Sequence, residues 1–166
     1  MDTGLRRYDG IWNKRPFCPC VFKIGLLKFV QIKRPFFMGK ELQMNMTKEQ
    51  IDFINENEWL VFATASKSGT PRAIPVIPSL IESGRIIVSD MQMAISAKNI
   101  KENEKVFLYS CDKPMEKFIK ISGTAEYLEK GELFDEVKSL EAGRCSFIPR
   151  GIIVIQISEI IEGEEK

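Results

Sequence analysis

The chain has 166 residues, 44% hydrophobic and 28% charged, with 24 Lys and Arg against 23 Asp and Glu and no histidine. That length and balance fit one compact domain, and the missing histidine excludes Ser-His-Asp and Cys-His nucleophiles and His-ligated zinc or haem. The charge is uneven: residues 1–45 carry nine bases and three acids (net +6), leaving 15 bases and 20 acids (net −5) for residues 46–166. The mildly acidic body argues against a nucleic-acid-binding face.

Residues 1–45 show no clean hydrophobic period. Their apolar part, Cys20 to Ile32, is interrupted by Lys23 and Lys28. It is too short and too charged to span a bilayer, and no small-residue cleavage site marks a signal peptide. We read the segment as a basic leader, either disordered or a spurious translation start, with the protein opening at Met44 or Met46. The competing reading is a basic amphipathic patch that touches membranes or acidic partners. Cys18 and Cys20 are too close for a zinc knuckle and no second pair completes a four-ligand site. No metal is therefore expected, and Cys18, Cys20, Cys111 and Cys145 are read as unpaired thiols of a cytoplasmic protein.

From Met46 the pattern becomes regular. Thr47 and Gln50 form a capping box ahead of a short helix with Ile51 and Ile54 on one stripe. WLVFATAS (59–66) reads as a strand with apolar residues on both faces, and KSGT (67–70) as a turn in which Gly69 takes positive φ. Residues 72–77 return as a second strand, where Pro75, lacking an N–H, marks an edge or bulge. A turn at Glu82-Ser83-Gly84 leads into RIIVSD (85–90), a helix over about 92–102, and the strand KVFLYS (105–110). FIKISGTAEYL (118–128) alternates with Ile119, Ile121, Ala125 and Tyr127 on one face, and Gly123 suggests a bulge. A third helix carries Leu133, Phe134, Val137 and Leu140, and GIIVIQISEII (151–161) is the last strand. Six antiparallel strands with short helices at the corners predict a small closed β-barrel. Apolar residues on both faces of WLVFATAS and GIIVIQIS predict that the barrel is not monomeric.

The run from Ser89 to Lys120 holds the candidate site. A strand ends in Ser89 and Asp90, and the following helix carries Ser96, Lys98 and Asn99. Hydroxyls, an amide and helix N-terminal N–H groups thus meet at one strand-to-helix junction, the arrangement that binds an anionic phosphate. On spacing alone the same residues also suit an ordinary helix cap and a solvated helix face.

From Trp59 to Ile161 the chain resembles the FMN-binding split-barrel proteins, the pyridoxamine 5'-phosphate oxidase-like family. Pro71 and Pro75-Val76 match the family's P-x-x-x-P-V strand. NIKENEKV (99–106) matches its N-[LI]-x-x-[ND]-x-x-V, and IKISGTAEYL matches its I-x-G-x-A strand. The resemblance implies a six-stranded split barrel, a homodimer and bound FMN. It implies that backbone at Pro75 and Val76 lies along the flavin ring, that Ser89 and Asp90 meet ribityl and phosphate, and that Ser96 holds the phosphate. Relatives place Lys or Arg before that hydroxyl, where this chain has Ala94 and Ile95; Lys98 or Arg72 is the candidate replacement. No C-terminal Trp and Arg segment follows the last strand, which argues against true pyridoxamine phosphate oxidase activity. The function implied is a small flavin oxidoreductase or electron carrier with no assigned catalytic acid or base. The alternatives are a flavin or deazaflavin binding module without turnover, and a barrel that has lost its cofactor.

Overall fold

A computed structural model describes residues 44–144 and 148–164. The readings for residues 1–43 and for Cys18, Cys20 and Cys145 lie outside them. The first helix, α1 (Lys48–Asn57), starts at its capping box. Thr47 Oγ1 accepts from the Gln50 N–H at 3.3 Å, and Gln50 Oε1 accepts from the Thr47 N–H at 2.8 Å. Two orphan donors of the helix start are satisfied reciprocally.

The strands follow as β1 (Leu60–Ala65), β2 (Pro71–Val76), β3 (Leu80–Ile81) and β4 (Arg85–Asp90). Next come α2 (Ala94–Glu102), β5 (Lys105–Cys111), β6 (Lys117–Leu128), α3 (Glu132–Ala142) and β7 (Gly151–Glu164). All pairings are antiparallel, in one sheet of order β2-β1-β5-β6-β7-β4-β3. The strand count is seven rather than six, because the two-residue β3 pairs Leu80 with Ile87 and Ile81 with Ile86. The sheet is the split barrel that the resemblance implies, not the fully closed one read from the strand pattern: it curls, and its end strands β2 and β3 do not pair with each other. Pro71 and Pro75 remove two donors from β2, and β3 offers only two residues for pairing.

The concave face of the sheet carries the main core. Leu60, Phe62, Ile86, Val88, Leu108, Ile119, Ile121, Ile153 and Ile155 are buried together there, at alternate positions of their strands. Met46 joins this core, so the chain is anchored just ahead of α1. The strong curl has a visible cause at Gly123. The β6–β7 register slips between Ser122 and Gly123, leaving Ser158 without a partner residue across the ladder. Such a bulge bends and twists the strand.

Cover on the convex face differs between the two ends of the sheet, and here one expectation is corrected. Ile87, Ile152 and Val154 are packed under Phe134 and Val137 of α3. GIIVIQIS is therefore covered on both faces by its own chain, because the third helix folds back onto β7 and β4. The β1 side has no such cover: Trp59 is 49% exposed and Val61 42%, with Phe107 of β5 exposed beside them. Val61 pairs with Pro75 and Tyr109, and Ala63 with Ala73 and Phe107. Paired residues share a face, so an apolar surface runs across β2, β1 and β5. No helix among the described residues is long and apolar enough to cross a membrane.

A Cβ at Gly123 would run into the Gln156 carbonyl of the neighbouring strand, whereas one at Gly143 would meet only Leu140 O at 3.5 Å. Gly123→Ala should therefore cost about 1–3 kcal/mol, while Gly143→Ala stays within about 0.5 kcal/mol of wild type. Urea unfolding of the two variants checks this; equal midpoints would contradict the close approach at the bulge.

Candidate functional site

Ser89 and Asp90 are adjacent in sequence, so the pleat of β4 sends them to opposite faces. Ser89 lies on the α3 side. Its hydroxyl bonds the Ser79 hydroxyl at 2.7 Å and donates to Glu141 Oε1 at 3.5 Å, and its N–H donates to Ser79 Oγ at 3.1 Å. Exposed Arg144 closes over this buried cluster, donating to the Ser79 carbonyl at 2.9 Å and standing 3.9 Å from the Glu141 carboxylate. The polar groups of Ser89 thus tie α3 to β4.

Asp90 lies toward α2 and is 2% exposed. A carboxylate so deeply buried needs donors on both oxygens. Oδ1 accepts from the Met93 N–H at 2.6 Å and Oδ2 from the Tyr127 hydroxyl at 2.7 Å, while the Asp90 carbonyl accepts from the Arg150 N–H at 2.9 Å. The helix starts later than the sequence suggests, at Ala94, because the Asp90 side chain holds a turn ahead of it. Met93 is the N-cap residue, and it supplies no side-chain bond.

The two faces of α2 separate the remaining residues. Ser96 and Asn99, one turn apart, are buried against the sheet. The Asn99 Nδ2 donates to Thr64 Oγ1 at 3.0 Å. Thr64 pairs across the ladder with Arg72, so Arg72 shares the sheet face on which Asn99 docks. Arg72 is exposed on the edge strand and makes no ion pair among the described residues. Val76 of the same strand is buried against Leu60, and Pro75 is exposed opposite Val61. Lys98 stands away from all of these, 4.0 Å from Glu102. It lines a groove of about 450 Å³ with Asp90, Ala94, Lys101, Tyr127 and Arg150. The eight predicted site residues therefore do not form one cluster: Ser89 lies under α3, Asp90 and Lys98 at the groove, Pro75 on the outer face of β2 with Val76 at the end of the strand, and Ser96 and Asn99 on the buried face of α2 with Arg72 on the same side of the sheet.

A phosphate is a fair test of that last group. The first turn of α2 leaves backbone N–H groups with no partner inside the helix, carries no acidic residue, and has no side-chain cap at Met93. The Ser96 hydroxyl, 1% exposed, is the only buried side-chain polar atom among the described residues with no hydrogen-bond partner. Such an atom costs stability unless something bonds it. With the Arg72 guanidinium on the same side, the donors suit an anion. Ile95, 53% exposed, puts an aliphatic chain where a cation would help, and the buried Asp90 charge near the helix start works against the anion. The residues fit a phosphate group, weakly held.

Thr64, Tyr127 and Arg150 escaped the sequence reading of the site. Thr64 had a signal, being the one polar residue on the inward alternation Leu60, Phe62, Thr64. Tyr127 was legible as an inward β6 residue but not as the partner of Asp90, which lies 37 positions away. Arg150 sits beside residues 145–147, which are not described, and no local pattern marks it.

Residues 46–162 match the family profile described as pyridoxamine 5'-phosphate oxidase. An uncharacterised protein of Methanocaldococcus jannaschii is 37% identical over 126 residues, covering 70% of this chain and 80% of that protein. HupZ of Group A Streptococcus shares the fold at 24% identity and a TM-score of 0.66, covering 73% of this chain and 98% of HupZ. An FMN-binding protein of Syntrophomonas wolfei does so at 18% and 0.58, covering 69% and 84% of the two chains. HutZ, the haem storage protein of Vibrio cholerae, follows at 19% and 0.53, covering 71% and 94%.

Burial, reinforced by the Asp90 hydrogen bond and charge, pushes the Tyr127 phenol well above its ordinary value. The folded state therefore holds this proton more tightly than the unfolded state. That stabilisation is complete below the unfolded pKa of about 10 and is lost as pH rises above it. The melting temperature of the wild type should fall more steeply between about pH 10 and pH 12 than that of Tyr127→Phe. Parallel curves would mean that the phenol contributes nothing by this route.

Proposed function

The chain belongs to the pyridoxamine 5'-phosphate oxidase family, and within it we propose that this protein binds FMN and serves as a small flavin oxidoreductase or electron carrier, working as a homodimer. The observation that carries the reading is the unpartnered Ser96 hydroxyl on the buried face of α2, beside the helix's first-turn N–H groups. Ser96 and those N–H groups would hold the phosphate, with Arg72 as the nearby cation, and β2 at Pro75 and Val76 would lie along the ring. Bound FMN would supply the hydride or electron transfer, and the protein would orient it and tune its potential. No side chain is assigned as acid or base.

The homodimer is proposed on the bare convex face of β2, β1 and β5. Trp59, Val61 and Phe107 leave there an apolar surface of the kind that marks an interface. A second copy seated on it would remove more than about 1,000 Å² from water. Val61→Glu should therefore yield monomer by light scattering and lose flavin at the same time. A wild-type monomer that binds FMN would contradict this part of the reading.

One competing reading has an observation in its favour. A barrel that has lost its cofactor is supported by Ile95, an exposed aliphatic residue where the family resemblance implies a cation, and by the neighbouring Asp90 carboxylate. A charge-assisted bond to phosphate is worth about 1.5–3 kcal/mol, one to two decades of affinity. Flavin absorbance in the purified or FMN-supplemented protein separates the two readings. Ile95 is exposed, so lysine can be placed there without disturbing the core. Ile95→Lys should tighten FMN by about tenfold or more, most strongly at low salt, and riboflavin little. Equal gains for both flavins, or none for FMN, would place the phosphate elsewhere.

A further inference from the structure

We propose that Tyr127 is a positioning residue that fixes the start of α2 through Asp90, and through it the affinity for the phosphate of the cofactor; the inference rests on the flavin reading above. Tyr127 belongs to β6 and never reaches the face of α2 that carries Ser96 and Asn99. Its hydroxyl donates to Asp90 Oδ2 at 2.7 Å, and the other oxygen of the same carboxylate receives the Met93 N–H at 2.6 Å. Because α2 has no side-chain cap of its own at Met93, this bond sets where its first turn begins. The first helical bond, from the Ala97 N–H to the Met93 carbonyl at 2.8 Å, is built directly on that residue.

The phenol is itself held from two sides. A Cβ on Gly151 would come within 2.6 Å of the Tyr127 ring carbon Cζ and 2.7 Å of its hydroxyl, so the ring lies flat against the glycine. Lys101 Nζ stands 4.7 Å from the ring centroid, and Glu129 fixes that lysine at 2.7 Å. The ring therefore has little freedom to leave Asp90.

Tyr127→Phe keeps the ring and removes only the O–H. The test titrates FMN and riboflavin into wild type and variant, and follows amide hydrogen exchange over residues 93–97. The expected result is about a tenfold loss of FMN affinity, riboflavin affinity within about twofold, and faster exchange in the first turn of α2. Gly151→Ala, which displaces the ring, should reproduce this pattern: weaker FMN, riboflavin within about twofold, and faster exchange in the first turn. Equal losses for FMN and riboflavin would mean general support of the barrel and would overturn the positioning role, as would unchanged FMN affinity with unchanged exchange. If the wild type binds no FMN, the flavin reading fails by itself. Exchange then decides the role of Tyr127: faster exchange in the variant supports it and unchanged exchange overturns it.

Discussion

The carboxylate of Asp90 is buried at the end of β4, where an ionised group persists only if both oxygens find donors. One partner is local, the backbone of Met93, and the other is distant, the phenol of Tyr127, while Arg150 bonds its carbonyl. Meeting this one requirement joins β4, β6 and the start of β7 to the first turn of α2. The orientation of α2 then decides which residues can serve a ligand. Ser96 and Asn99 turn inward toward Thr64, and Lys98 turns out into the groove.

The sheet supplies the frame in which that carboxylate is buried. Its curl comes from the Gly123 bulge, and its opening from an edge strand with two prolines facing a two-residue strand. The two faces are finished differently. On the β7 and β4 side, α3 is packed onto Ile152 and Val154 and tied down by buried Ser79, Ser89 and Glu141 with Arg144 closing over them. On the β1 and β5 side nothing in the described chain covers Trp59, Val61 and Phe107. The chain covers one apolar face with its own helix and leaves the other bare, and the proposed homodimer interface lies on the bare one.

Most of the fold was legible because its signals are local. The Thr47–Gln50 box, the alternation through residues 118–128 and the Pro75 edge are each read within a few residues. What the sequence could not show was which faces meet. The outer face of GIIVIQIS looked bare because nothing in the residues of α3 says that Phe134 and Val137 return to it. The closed barrel became a split one because ladder closure depends on two strands far apart in sequence. At the site, Ser89 and Asp90 looked like one pair, yet the pleat sends them to opposite sides. The helix period separates Lys98 from Ser96 and Asn99, and among the described residues Arg72 is the cation that shares their side of the sheet. The bond from Tyr127 to Asp90 spans 37 positions and leaves no trace in either local pattern.

The central claim is that the first turn of α2, with the Ser96 hydroxyl, is a phosphate site. The most direct measurement compares the affinities of FMN and riboflavin for the wild-type protein by calorimetric titration across ionic strength. These ligands differ only in the phosphate. The account predicts FMN tighter by about tenfold or more at low salt, with the gap narrowing as salt screens the charge. Equal affinities at every ionic strength, or no binding of either flavin, would contradict it.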